Sequence, residues 1–326
     1  MIHSQTFGLT YCLIRLLIVI SLFTSSAGCG SRQTEPSGPP VDKDLARTNR
    51  AARTAFENGS IQQAVGLYRQ TLERAYLRDD LAAAIDAKYN LAVCLTLLQS
   101  DREALELVKQ AGAELTRAGR PVPLDILLLE ATIRYRLGQS QAAWQLTDHI
   151  LKDPATIPFA VESKTHYLRG LIANDRADLE TLRIEISALT KSDFPVVRAD
   201  REELIGHQAL MERGWDEAVL AFDEAAALRR QMLDYRGMVK VLAKAGEASE
   251  RAGRLVPASR RYLRAGQSAA LQGDKEQARM WLTRAALLAE QGGDENIARE
   301  ARFQLAQLQN DAAVAPAGND TAAEGR

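Results

Sequence analysis

Aromatic side chains make up only 6% of the 326 residues, cysteine occurs three times and histidine four. So few rings argue against a β-sandwich or barrel and favour helices that approach closely through small and aliphatic side chains. Three cysteines cannot build a disulfide framework, and four histidines leave little material for metal sites. Charge of one sign is also missing: 41 Lys+Arg stand against 42 Asp+Glu, a net charge of -1. That balance excludes a strongly basic nucleic-acid footprint and an acidic solvating tail. Long hydrophobic runs are scarce as well. The plainest is Leu16–Phe23, eight residues, where a membrane span needs about 20. What is abundant is alanine and leucine within a 46% apolar content, interspersed with 25% charged residues, the composition of a folded chain.

Residues 1–28 have the layout of a secretory signal. Met1 to Arg15 holds one positive charge and no acid, LLIVISLF follows, and Thr24–Gly28 is a run of small residues ending at Cys29. Ser26-Ala27-Gly28-Cys29 resembles the lipobox of bacterial lipoproteins, except that Ser26 stands where that family prefers leucine. The resemblance implies lipidation of Cys29 and a membrane-anchored lipoprotein in the cell envelope; if the host has two membranes, Gly30 in place of aspartate leans towards the outer one. Ser25-Ser26-Ala27 also fits ordinary signal cleavage, which would release a soluble secreted or periplasmic chain. Residues 29–46, with Pro36, Gly38, Pro39 and Pro40, read as a flexible tether, and residues 310–326 as a disordered tail. Cys94, inside LAVCLTLL, reads as a buried small hydrophobe.

Between tether and tail, residues 47–309 carry an internal repeat. Ala64, Ala104, Ala143, Ala218 and Ala258 each open a helical pattern, spaced 40, 39, 75 and 40 residues apart; the long gap leaves room for one degenerate unit. A bulky or branched residue follows four positions on in most units (Tyr68, Val108, Phe222, Tyr262) and a mostly small one seven on (Ala111, Ala225, Ala265). Twelve before lie Ala52, Ala92, Ala131, Gly206 and Gly246. These offsets resemble the tetratricopeptide repeat, with a period near 40 in place of that family's 34. The resemblance implies an all-α, right-handed α-solenoid of stacked antiparallel hairpins, about six to seven of them, with helices of about 15–17 residues. Small residues at the crossings let paired helices approach, and each pair leaves an apolar face that only the next pair buries. Asp274 and Asp294 read as N-caps of the last helices.

No phosphate-binding loop, nucleophile motif or metal-ligand spacing occurs, so no cofactor and no catalytic residue is expected. Acid pairs such as Glu202-Glu203, and the basic pair Arg229-Arg230, read as solvated helix faces. The resemblance instead implies a concave groove lined by first helices that holds a protein or peptide. Carried onto this chain it names Tyr89, Val93 and Leu97; Leu128, Thr132 and Arg136; Glu203, His207 and Met211. The carboxylate clamp of chaperone-adaptor members is not reproduced: Asn90 fits one position, but Asp125 and Leu129 stand where bases belong. The expectation is a non-enzymatic, envelope-anchored scaffold for a protein partner. An envelope enzyme with catalytic groups in the groove is the alternative of another class.

Overall fold

Apolar residues recur at helical spacing through most of the chain, and in the computed structural model, which describes residues 42–313, they form fourteen α-helices with no strand among the described residues. The first hairpins are α1 (Lys43–Glu57) with α2 (Ile61–Leu77), α3 (Leu81–Leu97) with α4 (Asp101–Arg117), and α5 (Leu124–Arg136) with α6 (Ser140–Ile150). α7 (Phe159–Asp175) and α8 (Leu179–Leu189) supply the unit expected inside the long gap. α9 (Pro195–Met211) with α10 (Trp215–Gln231), α11 (Tyr235–Arg251) with α12 (Leu255–Leu271), and α13 (Lys275–Gln291) with α14 (Glu295–Ala313) complete seven hairpins. The anticipated signal, lipidation cysteine and most of the tether lie outside the described residues, as does the tail from 314 onward.

The 40-residue period has a simple origin. From α9 to α13 each helix is 17 residues long and the next begins 20 residues on, so three residues make each connection. The middle one is left-handed: Gly253, Gly273 and Gly293 at φ 73° to 78°, and Arg213 and Leu233 at φ 61° and 60°. That conformation lets the following amide reach back five residues, as Asp234 N–H does to the Arg229 carbonyl at 2.9 Å and Asp274 N–H to Ala269 at 3.0 Å. The same residue then caps the next helix. Asp234, Asp274 and Asp294 accept from the amides of Gly237, Gln277 and Ile297 at 2.9, 3.1 and 3.1 Å. Pro123 and Pro158 stand just before α5 and α7, and Pro195 is the first residue of α9, where a missing N–H does no harm.

The repeat positions form the core. Ala64, Ala92, Ala104, Ala143, Ala218, Ala225, Ala258 and Ala265 are all fully buried, and Gly206 and Gly246 are buried beside them. Phe222 fills the space left by Gly206, and Tyr262 the space left by Gly246. From α2 onward consecutive helices pack on one another along the row, and α3, α5, α7 and α9 also touch in sequence, forming an inner wall. Helix begins at Lys43 and continues to Ala313, four residues beyond the expected body at each end. At the start the helix is held by Asp44, which pairs with Arg47 at 2.8 Å and Arg74 at 3.5 Å. Cys94 is fully buried, and desolvation lifts its thiol to about 11, which keeps it protonated and unreactive. Among the described residues no helix is long and apolar enough to cross a membrane.

Candidate binding site

The inner wall borders a cavity of about 700 Å³. On one side stand the C-terminal turn of α3 with Thr96 and Leu97, then Thr132 and Arg136 of α5, Lys164 and Tyr167 of α7 and Glu203 of α9; on the other stand Arg236, Val239 and Lys240 of α11 and Gln272 of α12. Two polar contacts join residues far apart in sequence across this space. Arg236 Nη1 donates to the Leu97 carbonyl at the end of α3, and Gln99 Nε2 donates to Asp274 Oδ2 at 3.2 Å. The second hairpin therefore meets the sixth and seventh over the cavity.

The floor is a buried charge network on α7, α9 and α10. Arg229, only 7% exposed, donates through Nη2 to Asp200 at 3.1 Å and to Glu203, and through Nη1 to Asp234 at 2.8 Å. Lys164 holds the other Asp200 oxygen at 2.6 Å, and the Tyr167 hydroxyl donates to Glu203 at 2.9 Å. Desolvation raises the Asp200 carboxyl above its ordinary value, with Lys164 pulling the other way. Burial also lifts Tyr167 well above 10, and the Glu203 charge adds to it. Burial opposes the charge on Arg229, but Glu203, Tyr167 and Asp200 outweigh it and its pKa is raised. Every carboxylate of this network is held by a cation, so the network presents fixed charges. Among the described residues no group of three or more His, Cys, Asp or Glu is placed to hold a metal ion.

Of the nine groove residues named from the sequence, Leu97, Thr132, Arg136 and Glu203 line the cavity. The other five lie elsewhere. Tyr89, Leu128 and Met211 are half-buried and pack against hydrophobic clusters, and Val93 is half-buried in α3. His207 is buried with its ring edge-on to Phe222 at 5.2 Å, and desolvation lowers its pKa to about 4, so it is a neutral core residue. Two surface readings are corrected. Glu203 is buried and bound to Arg229 while Glu202 pairs with Arg201 at 3.1 Å; Arg229 is buried while Arg230 is exposed. Arg229 lies at the end of a second helix, and Lys164, Arg236 and Lys240 lie one or more turns before the positions the repeat offsets single out. The available signal was the i, i+4 spacing of Arg236 and Lys240 on one helix.

The small residue at the helix crossings, the bulky residue one turn later in most units and the inner wall of first helices decide the architecture. This is a tetratricopeptide-like α-solenoid. The chain is similar in fold to the Rap protein complexed with Competence and Sporulation Factor, with a TM-score of 0.57 at 12% identity, over 83% of this chain and 78% of that one. It is likewise similar to the apo quorum sensor NprR from B. thuringiensis (TM-score 0.54, 8% identity, 83% and 89% covered). Apo RapI gives 0.51 at 9% identity over 82% of this chain and 77% of that one. No protein-family model matches the sequence, and no curated protein matches it. At such identities the likeness is one of fold.

Proposed function

We propose that this chain is a non-enzymatic scaffold that binds a protein or peptide partner in its concave cavity and is held in the cell envelope by lipid on Cys29. The observation that carries the binding part is the cavity itself, about 700 Å³, within the roughly 300–1,000 Å³ range of ligand sites and walled by six hairpins. The Rap structure of the same fold is described as complexed with Competence and Sporulation Factor, which supports a ligand-holding role here. The lipid anchor rests on Ser26-Ala27-Gly28-Cys29 and the hydrophobic run before it.

Two measurements test this reading. Replacing Thr132 in the cavity wall by a photo-crosslinking residue and irradiating living cells should trap a discrete partner, whereas the same residue at Lys152, outside the cavity, should not. Equal, diffuse crosslinking from both positions would remove the binding claim. Cys29→Ala should shift the protein from the membrane to the soluble fraction. A second reading, favoured by Ser25-Ser26-Ala27, is an unlipidated secreted chain with a mature N-terminus at Gly28, which intact-mass spectrometry distinguishes.

A further inference from the structure

The cavity's own charges are unevenly satisfied. Its lining acids are all engaged: Asp101 by Arg136 at 2.9 Å, Glu203 and Asp234 by Arg229, and Asp274 by Gln99. Arg136, Lys164 and Arg229 are consumed in those pairs and in the pair with Asp200. Two cations remain, both on α11. Arg236 has a neutral partner, the Leu97 carbonyl, and Lys240 has no hydrogen bond or ion pair among the described residues.

Their placement is regular. Four residues apart on one helix, Arg236 and Lys240 share a face and stand about 6 Å apart along its axis. In an extended peptide, side chains at alternate positions point the same way and recur about every 6.6 Å. Two carboxylates spaced in that manner can therefore each meet one cation. A carboxylate also outcompetes a neutral carbonyl for a guanidinium, because the hydrogen bond becomes charge-assisted on both sides.

We propose that Arg236 and Lys240 are a receptor for an extended acidic peptide whose Asp or Glu side chains alternate with uncharged ones. This rests on the peptide-binding reading of the cavity and specifies its ligand. A second property of the site agrees with it. Desolvation lowers the Lys240 pKa below the ordinary lysine value, and the positive charges of Arg136 and Arg229 lower it further, while Glu203 and Asp234 act in the opposite sense. Lys240 nonetheless stands exposed at the cavity wall, where an incoming anion can reach it.

The test uses the full chain and fluorescein-labelled, C-terminally amidated pentapeptides followed by anisotropy: Ala-Glu-Ala-Glu-Ala, its Gln and Lys counterparts, and Ala-Ala-Glu-Glu-Ala. The alternating acidic peptide should bind about tenfold tighter than the glutamine one. Lys240→Gln, which breaks no contact in the protein, and Arg236→Gln should each weaken it about fivefold. Lys152→Gln, outside the cavity, should leave it unchanged. Equal binding of the glutamine or lysine peptide, indifference to spacing, or full affinity in Lys240→Gln would overturn the proposal while leaving the scaffold reading intact. Failure of all four peptides would also overturn it; the scaffold reading then stands or falls by the crosslinking from Thr132.

Discussion

The ring of Phe222 lies on the backbone of Gly206, so closely that a Cβ on that glycine would stand 2.6 Å from Cε1 and 2.7 Å from Cδ1. Both residues are buried, on facing helices α9 and α10. One hairpin later Tyr262 stands in the same relation to Gly246, where the added carbon would meet the ring at 3.0 Å. In the seventh hairpin's neighbourhood Leu282 does so to Gly266, at 2.6 Å. The absent side chain on one helix is the volume that the partner's bulky residue fills, which is how so few rings suffice for a long core.

Gly206→Ala should therefore destabilise the protein although alanine is the better helix former. The overlap with a fully buried ring is expected to cost about 1–3 kcal/mol, against a gain of about 0.5–1 kcal/mol from helix propensity. Gly66→Ala is the control. It sits inside α2 with nothing within 4 Å of the added carbon, so only the propensity gain applies and the melting temperature should rise. Thermal melts of the two variants moving in the same direction would contradict this account of the crossings.

The fold was legible because its rule is local and repeated. Ala218, Phe222 and Ala225 recur at the offsets of Ala258, Tyr262 and Ala265, and the 20-residue helix step follows from capping chemistry written in Asp234, Asp274 and Asp294. The site was half legible. Thr132 and Arg136 obey the repeat offsets, but Arg229 carries no sign of burial in the sequence, since burial of a charge depends on carboxylates 26 and 29 residues away, Glu203 and Asp200. The contact between Arg236 and Leu97 spans 139 residues and depends on how hairpin curvature accumulates, which no single repeat encodes.

His207 predicts an acid-sensitive step. Its pKa is lowered from 6.5 to about 4, first by desolvation and then by Lys244, with Asp175 and Glu247 acting oppositely. Because the unfolded chain takes up the proton near 6.5 and the folded chain only near 4, stability is lost as pH falls through that window and levels off below it. A fall from 6.5 to about 4 corresponds to ~3 kcal/mol. His207→Leu, which keeps an apolar contact with Phe222, should flatten this part of the stability curve. Chemical denaturation at several pH values between about 4 and 7 measures it; a parallel loss in the variant would assign the sensitivity to another group.

Removing the cation beneath the cavity should be far more damaging than removing a surface one. Arg229→Met leaves Glu203 buried without its cation and Asp200 with Lys164 alone, a change expected to cost about 3–5 kcal/mol. Raising the Asp200 carboxyl pKa further in the folded state makes the penalty depend on pH. An acid whose folded pKa lies above its unfolded value stabilises below the unfolded value and loses that contribution as pH rises. The deficit of Arg229→Met should thus be larger at about pH 7 than at about pH 4.5. Arg230→Met, at the exposed neighbouring position, should change stability by less than about 0.5 kcal/mol at either pH.

The contacts over the cavity should govern how closed the helical unit is without governing whether it folds. The clusters around Ala64 and Leu91 and around Phe222 and Leu242 are separate cores, and neither contains Arg236, Gln99 or Asp274. Each contact is exposed and single, so each contributes about 1 kcal/mol or less to the closed arrangement. Losing both is still enough to move a two-state balance by about tenfold. The double variant Gln99→Ala with Arg236→Gln should keep the circular dichroism of the parent while its radius of gyration in small-angle scattering increases. Adding Ala-Glu-Ala-Glu-Ala amide to the parent should produce a change of the same sign, since a carboxylate that takes Arg236 frees the Leu97 carbonyl. An unchanged radius in the double variant would show that the hairpin stacking alone fixes the curvature and that these contacts merely follow it.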